Sequence, residues 1–267
     1  MTTTDLTPET ALVRWDLREG IARITLDSPR NRNALSRQLV SELSHYIHTA
    51  IDDRSVRAVV ITGTDKAFCA GADLSEQRGI AAPKVGDEPA GRDVRDILLT
   101  IMRSDLTFVA AVNGAVRAGG TGIVAACDIA LASRSVRFAI PEVRLALPPA
   151  QILVPLQRTV DRRALRRYIL TGETFDADEA ARIGLITAAV DDLDSSLESV
   201  LDGLRAAHPG ALRRVKRLME ETAPLDPALG LRLAGDVAAE WFAGPDAQEG
   251  IAAVLEKRRP SWASTND

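Results

Sequence analysis

Five short runs rich in Val, Ile, Thr and Ala punctuate this chain: IARITLD, VRAVVITG, FVAAVNG, DIALAS and, further on, LITAAV. Runs of this length and composition, closed by Gly, Asp or Ser, read as buried β-strands. Between the first two lies SRQLVSELSHYIHTAIDD. Its apolar residues Leu39, Val40, Leu43, Tyr46, Ile47, Ala50 and Ile51 fall at helical spacing, with Ser36 placed to cap the N-terminus. Strand and helix alternate from there, so the chain is predicted to be α/β with crossover connections. Strand, tight loop and helix recur at intervals of roughly 45–50 residues, which makes only a weak internal repeat.

The pattern changes after about Asp191. From there the sequence is helical, punctuated at Pro209, Pro224, Pro227 and Pro245. The reading is an α/β core over residues 1–195 and a helical C-terminal region over 196–267. The apolar faces of that region must pack on the core or on another subunit.

Composition narrows the function classes. Of 267 residues, 46% are hydrophobic and 26% charged, as in an ordinary globular protein. Thirty-three basic against 37 acidic residues leave a net charge of −4, which favours neither a nucleic-acid nor a membrane partner. Aromatic residues at 4% are too few for a base-stacking platform. The charge-free run LALPPAQILVPLQ is too short and proline-rich to span a bilayer. The opening MTTTDLTPET lacks the regions of a signal peptide. Cys69 and Cys127 have no CxxC or metal-ligand spacing and read as packing, while His45 and His48 fall off the apolar stripe of their helix. No metal is expected, and the location expected is cytoplasmic. Arg78–Asp93, where Gly and Pro recur without period, reads as a mobile loop within a domain, since loops this long are uncommon unless functional or disordered.

The chemistry concentrates in AGGTGIVAACD, where Gly119, Gly120 and Gly122 follow a strand. A dinucleotide fold needs GxGxxG and an acid about 20 residues on, and a P-loop needs GxxxxGK; neither is present, and neither is GxSxG. Two readings remain. The small residues let a helix and a strand pack closely, or a helix starting near Gly119 offers free N–H groups to an oxygen carrying negative charge. A second stretch, VVITGTDKAFCAGADL, repeats the design, with Ala70-Gly71-Ala72 leading into a helix at Asp73. Two strand ends that grip one oxygen make an oxyanion hole, worth about 2.7–4 kcal/mol per donor.

Taken in order, KAFCAGADL, AVNGAVRAGGTGIVAACDIALAS and FAIPEVRLALPPA resemble the enoyl-CoA hydratase/isomerase (crotonase) family. The resemblance runs from ITLDSPRNRNALS to EGIAAVLEKRR, nearly the whole chain. It implies a spiral of ββα turns and a helical region that joins subunits into a homotrimer or hexamer. It implies an acyl-CoA thioester substrate, with coenzyme A part of the substrate and no separate cofactor. By motif, Ala72 and Gly119 become the two N–H donors to the thioester oxygen. Hydratases of the family carry two glutamates; one corresponds to Glu142 in AIPE, and the other falls on Gly122, which has no carboxylate. Arg32 and Ala34 in RNRNAL, with Ala70, Asp73 and Leu74, correspond to the surface that meets coenzyme A, and Lys257 to a residue reaching the phosphates of a neighbouring subunit's ligand.

Two carboxylates hold a water and divide acid and base roles in hydration of a 2-enoyl-CoA, the family's default reaction. A single carboxylate can instead carry a proton from C2 to C4, which isomerises a 3-enoyl-CoA. Gly122 favours the second, though glycine also stands there in some bacterial members named hydratases. Asp87, Glu88 and Asp93 lie in the loop able to close over the acyl group. Arg117, two residues before Gly119, would meet a carboxylated acyl group or pair with an acid of the protein. A catalytically weak acyl-CoA binding protein is the alternative from outside enzymology.

Overall fold

The computed structural model describes residues 11–78 and 93–263. Asp87, Glu88 and all but the ends of the Arg78–Asp93 loop lie outside these residues, as does the opening MTTTDLTPET.

Strands β1 (Val13–Arg18) and β2 (Ile21–Leu26) form an antiparallel pair, joined by a turn through Glu19 and Gly20. Helix α1 (Arg37–Asp52) then crosses to β3 (Ala58–Gly63), parallel to β2. Ser36 caps α1 as expected, its hydroxyl accepting from Leu39 N at 3.3 Å. The apolar stripe through Leu39, Leu43, Ile47 and Ala50 is fully buried.

From β3 onward each turn of the chain places one strand in each of two sheets. β3 is followed by β4 (Ala67–Cys69) and α2 (Leu74–Gln77), and then comes α3 (Val94–Arg103). The next turn is β5 (Thr107–Val112), β6 (Ala115–Arg117) and α4 (Gly119–Ala126). A third follows with β7 (Ile129–Ser133), β8 (Arg137–Ala139) and a 3₁₀ turn at Glu142–Leu145. After α5 (Leu153–Thr159) and α6 (Arg162–Thr171) the chain adds β9 (Thr174–Asp176), α7 (Ala177–Arg182) and β10 (Ala188–Val190). The large sheet runs β1-β2-β3-β5-β7-β10 and the small one β4-β6-β8-β9. This is the ββα spiral.

The central strands explain why the large sheet holds. β3 and β5 are buried at every position, so AVVITG and TFVAAV are apolar on both faces, as parallel strands covered on two sides must be. One face packs on α1, α3 and α4. The other receives α8 (Leu193–Ala206), whose Leu197, Leu201 and Leu204 sit against Ala58, Val60, Val109 and Leu131. The chain ends in α9 (Pro209–Thr222), α10 (Pro227–Phe242) and α11 (Pro245–Leu255). Each of these begins on a proline, whose missing N–H costs nothing at the first helical position. Lys216 ties α9 to the core, donating to Leu106 O at 2.7 Å and Asp128 Oδ2 at 2.8 Å.

Candidate functional site

The spiral stacks the β4–α2, β6–α4 and β8–3₁₀ connections side by side, because their three strands are neighbours in the small sheet. The residues 28–35 that follow β2 lie along the first of them. Arg32 and Asn33 both take the left-handed conformation, at φ 57°. Asn33 is wholly buried; its side chain accepts from Ser28 N at 2.7 Å and donates to Ala67 O at 2.8 Å. The segment so anchored runs beside residues 70–73. Ala70 N donates to Arg32 O (3.1 Å), Leu35 N donates to Gly71 O (2.7 Å), and Asn31 Nδ2 donates to Asp73 Oδ2 (2.9 Å). Leu35 and Ala72 form a parallel bridge. In that pattern Gly71 O faces the neighbouring segment, and the Ala72 N–H points the other way.

The two glycine-bearing loops meet at Gly71. Its φ of +87° suits glycine, and a Cβ there would stand 2.6 Å from Ala118 Cβ and 3.5 Å from Gly119 N. Ala118 itself is strained, at φ 47° and ψ −120°. Its N–H donates to Ala139 O at 3.1 Å, and its carbonyl accepts from Thr121 N at 2.8 Å and Thr121 Oγ1 at 2.6 Å. This turn starts α4 at Gly119, whose N–H has no carbonyl a turn earlier to bond and lies at the positive end of the helix dipole.

Glu142 opens the 3₁₀ turn after β8 and is half-buried. Its Oε2 is shielded from solvent and receives no hydrogen bond among the described residues. Burial pushes its carboxyl above the ordinary 4.5, with a smaller opposing pull from its own backbone N–H. No charged neighbour among the described residues contributes. Gly122, in the first turn of α4, is buried with Ile152 against it.

The other predicted residues are spread around this centre. Asp73 caps α2 through Ser75, and the hydrogen bonds from Ser75 and Asn31 lower its pKa. Leu74 and Arg32 are exposed, whereas the Ala34 side chain is buried. Arg117, on β6, reaches Thr174 Oγ1 at 3.4 Å and forms no ion pair among the described residues; burial lowers its pKa. Lys257 follows α11, exposed and in the left-handed conformation. No described side-chain bond joins it to the loops around Gly119. Cys69 and Cys127 are free and buried, and burial lifts the Cys69 thiol to about 12. Sequence reasoning missed Asn33 and Ile152. For Asn33 a signal existed, since asparagine is favoured in left-handed turns.

A family model described as Enoyl-CoA hydratase/isomerase matches residues 16–265. The chain belongs to the enoyl-CoA hydratase/isomerase family. It is 34% identical over 258 residues to a probable enoyl-CoA hydratase of Rhodobacter capsulatus, covering 94% of this chain and 97% of that one. It is 32% identical over 263 residues to a probable enoyl-CoA hydratase of Mycobacterium tuberculosis, covering 96% and 99%. An enoyl-CoA hydratase crystal structure from Mycobacterium smegmatis superposes with a TM-score of 0.87 at 34% identity, over 95% of this chain and 99% of that one. Within this enoyl-CoA hydratase/isomerase fold, KAFCAGADL covers β4 to the start of α2, and FAIPEV carries β8 into the 3₁₀ turn. Metal-binding clusters are absent among the described residues, and no described helix is long and apolar enough to cross a membrane.

Proposed function

We propose that this enzyme isomerises a 3-enoyl-CoA to the conjugated 2-enoyl-CoA, with Glu142 as its proton carrier. The observation that carries the reading is the shielded Oε2 of Glu142, which has no hydrogen-bond partner among the described residues, together with a glycine in the first turn of α4 where the family resemblance would have a second carboxylate. Glu142 takes a proton from C2, and the C2 electron pair moves onto the thioester oxygen. The Ala72 and Gly119 N–H groups donate to that oxygen and stabilise the enolate. Glu142 then returns the proton at C4 while the double bond moves to C2–C3. A base whose pKa is raised by desolvation suits both halves of this transfer near neutral pH.

Coenzyme A would lie across the surface formed by Arg32, Ala34, Ala70, Asp73 and Leu74, with Lys257 toward the phosphates. Trimers or paired trimers belong to the same reading. It is supported by exposed apolar side chains along the C-terminal helices, among them Leu231, Phe242, Val254 and Leu255.

Hydration of a 2-enoyl-CoA is the second reading, favoured by the names of the bacterial relatives. Turnover of a 3-enoyl-CoA, followed by conjugated-thioester absorbance, separates enzyme from binding protein. Wild type is expected to convert it and Glu142→Gln to lose about 10²–10⁴-fold in kcat. Equal kcat in the two proteins would remove Glu142 from the chemistry.

A further inference from the structure

We propose that Ile152 determines the reaction's specificity: its side chain presses on the first turn of α4 and keeps both a second carboxylate and a nucleophilic water from that turn. The proposal rests on the proton-carrier reading above and deepens it.

The three glycines of α4 are closed by three different groups. A Cβ at Gly119 would press on the tip of Leu35, at 2.7 Å, with Gly71 Cα at 3.9 Å, and one at Gly120 would meet Cys69 Cβ and O at 2.8 and 2.9 Å. At Gly122 the obstacle is Ile152, with Cγ2 at 2.5 Å and Cβ at 3.0 Å. Ile152 cannot easily step aside. It is 4% exposed and caps α5 in helical conformation, its carbonyl accepting from Leu156 N at 3.2 Å. As a β-branched residue it is stiff about its first side-chain bond, and Cγ2 springs from that branch.

Water fares no better on this face. A held water needs two to four polar partners. Among the described residues only Ile152 carbons stand against Gly122, the following Ile123, Val124 and Ala125 bring no polar side chain, and the neighbouring Thr121 hydroxyl already donates to Ala118 O. Position 122 therefore cannot take a side chain unless Ile152 gives way.

Thermal unfolding of a mutant cycle tests the packing without reference to activity. Gly122→Ala in the native background is expected to lower Tm by roughly 2–12 °C, the range for overpacking a core in a chain of this size. The same change in Ile152→Leu, which keeps the volume but lacks Cγ2, or in Ile152→Ala, is expected to cost little or to raise Tm. An equal loss in all backgrounds would overturn the proposal.

The specificity is read with 2-enoyl-CoA in heavy-oxygen water. Gly122→Glu/Ile152→Ala is expected to incorporate label about tenfold or more faster than wild type. A folded double variant that incorporates no more than wild type would overturn the proposal. If wild type itself hydrates rapidly, the isomerase reading and the exclusion of water by Ile152 both fall, whereas an isomerase whose Tm cycle shows equal losses keeps the reading and loses the proposal.

Discussion

Asn33 gives the sharpest test of how the loops around the site are held. Asn33→Ala removes the acceptor for Ser28 N and the donor to Ala67 O, two contacts at 2.7 and 2.8 Å in a place without solvent. Each orphaned backbone group costs about 1–3 kcal/mol. Alanine at φ 57° adds about 1 kcal/mol more. The expected loss is about 3–7 kcal/mol in urea unfolding, or a Tm lower by about 6 °C or more. Asn33→Gly loses the same hydrogen bonds but tolerates the left-handed backbone, so it should be about 1 kcal/mol more stable than Asn33→Ala. Both variants should lose activity as well, because residues 31–35 set the position of Gly71 and Ala72. Unfolding free energies for both variants within about 1 kcal/mol of wild type, below the cost of even one orphaned group, would refute the reasoning.

Four further outcomes follow from the geometry. Because burial raises the Glu142 pKa above 4.5, the acid limb of the kcat/KM profile should lie above that pH, activity rising as Glu142 loses its proton. The same shift means that Glu142 favours the fold in its protonated form, below about pH 4.5, and that this contribution is lost as pH rises through the folded pKa. Glu142→Gln should therefore gain in Tm relative to wild type from acid to neutral pH; a constant difference would contradict the assigned cause. Gly71→Ala places a Cβ 2.6 Å from Ala118 Cβ at a φ of +87°, forcing apart the loops that carry Ala72 and Gly119. It should lower kcat by about 10²-fold, as an ångström-scale misplacement does, and an unchanged kcat would argue against an oxyanion site there. Lys216→Met leaves Leu106 O and Asp128 without their ammonium donor and should destabilise by about 1–3 kcal/mol in urea unfolding.

The large sheet was legible because its strands are continuous apolar runs closed by turn residues. The expected runs became β2, β3, β5, β7 and β10. β1 escaped because VRWDLR alternates buried and exposed positions around charged side chains on an edge. The small sheet was invisible for another reason. Its strands are three residues long, too short to show any period, and they exist only because the spiral sets them side by side. The loop from Asn113 to Gly119 shows the effect, since β6 lies inside what looked like a simple turn.

Helix α1 was legible from its stripe and cap, and the prolines read as breaks proved to be helix starts at 209, 227 and 245. The glycine motifs pointed to the stretches around Ala72 and Gly119. What they could not show was the partner of each. Asn33 acts on a carbonyl 34 residues away, and Ile152 lies against Gly122 across α4 and α5. Such contacts depend on tertiary packing, which local pattern does not encode.

In the reaction we propose, one carboxylate moves a proton and no water adds. Product mass after incubating a panel of 3-enoyl- and 2-enoyl-CoAs with wild type in heavy-oxygen water tests it most directly. The account predicts conversion of 3-enoyl to 2-enoyl thioester with no heavy oxygen in the product. Rapid incorporation of heavy oxygen into a 3-hydroxyacyl-CoA, with 3-enoyl-CoA left untouched, would contradict it.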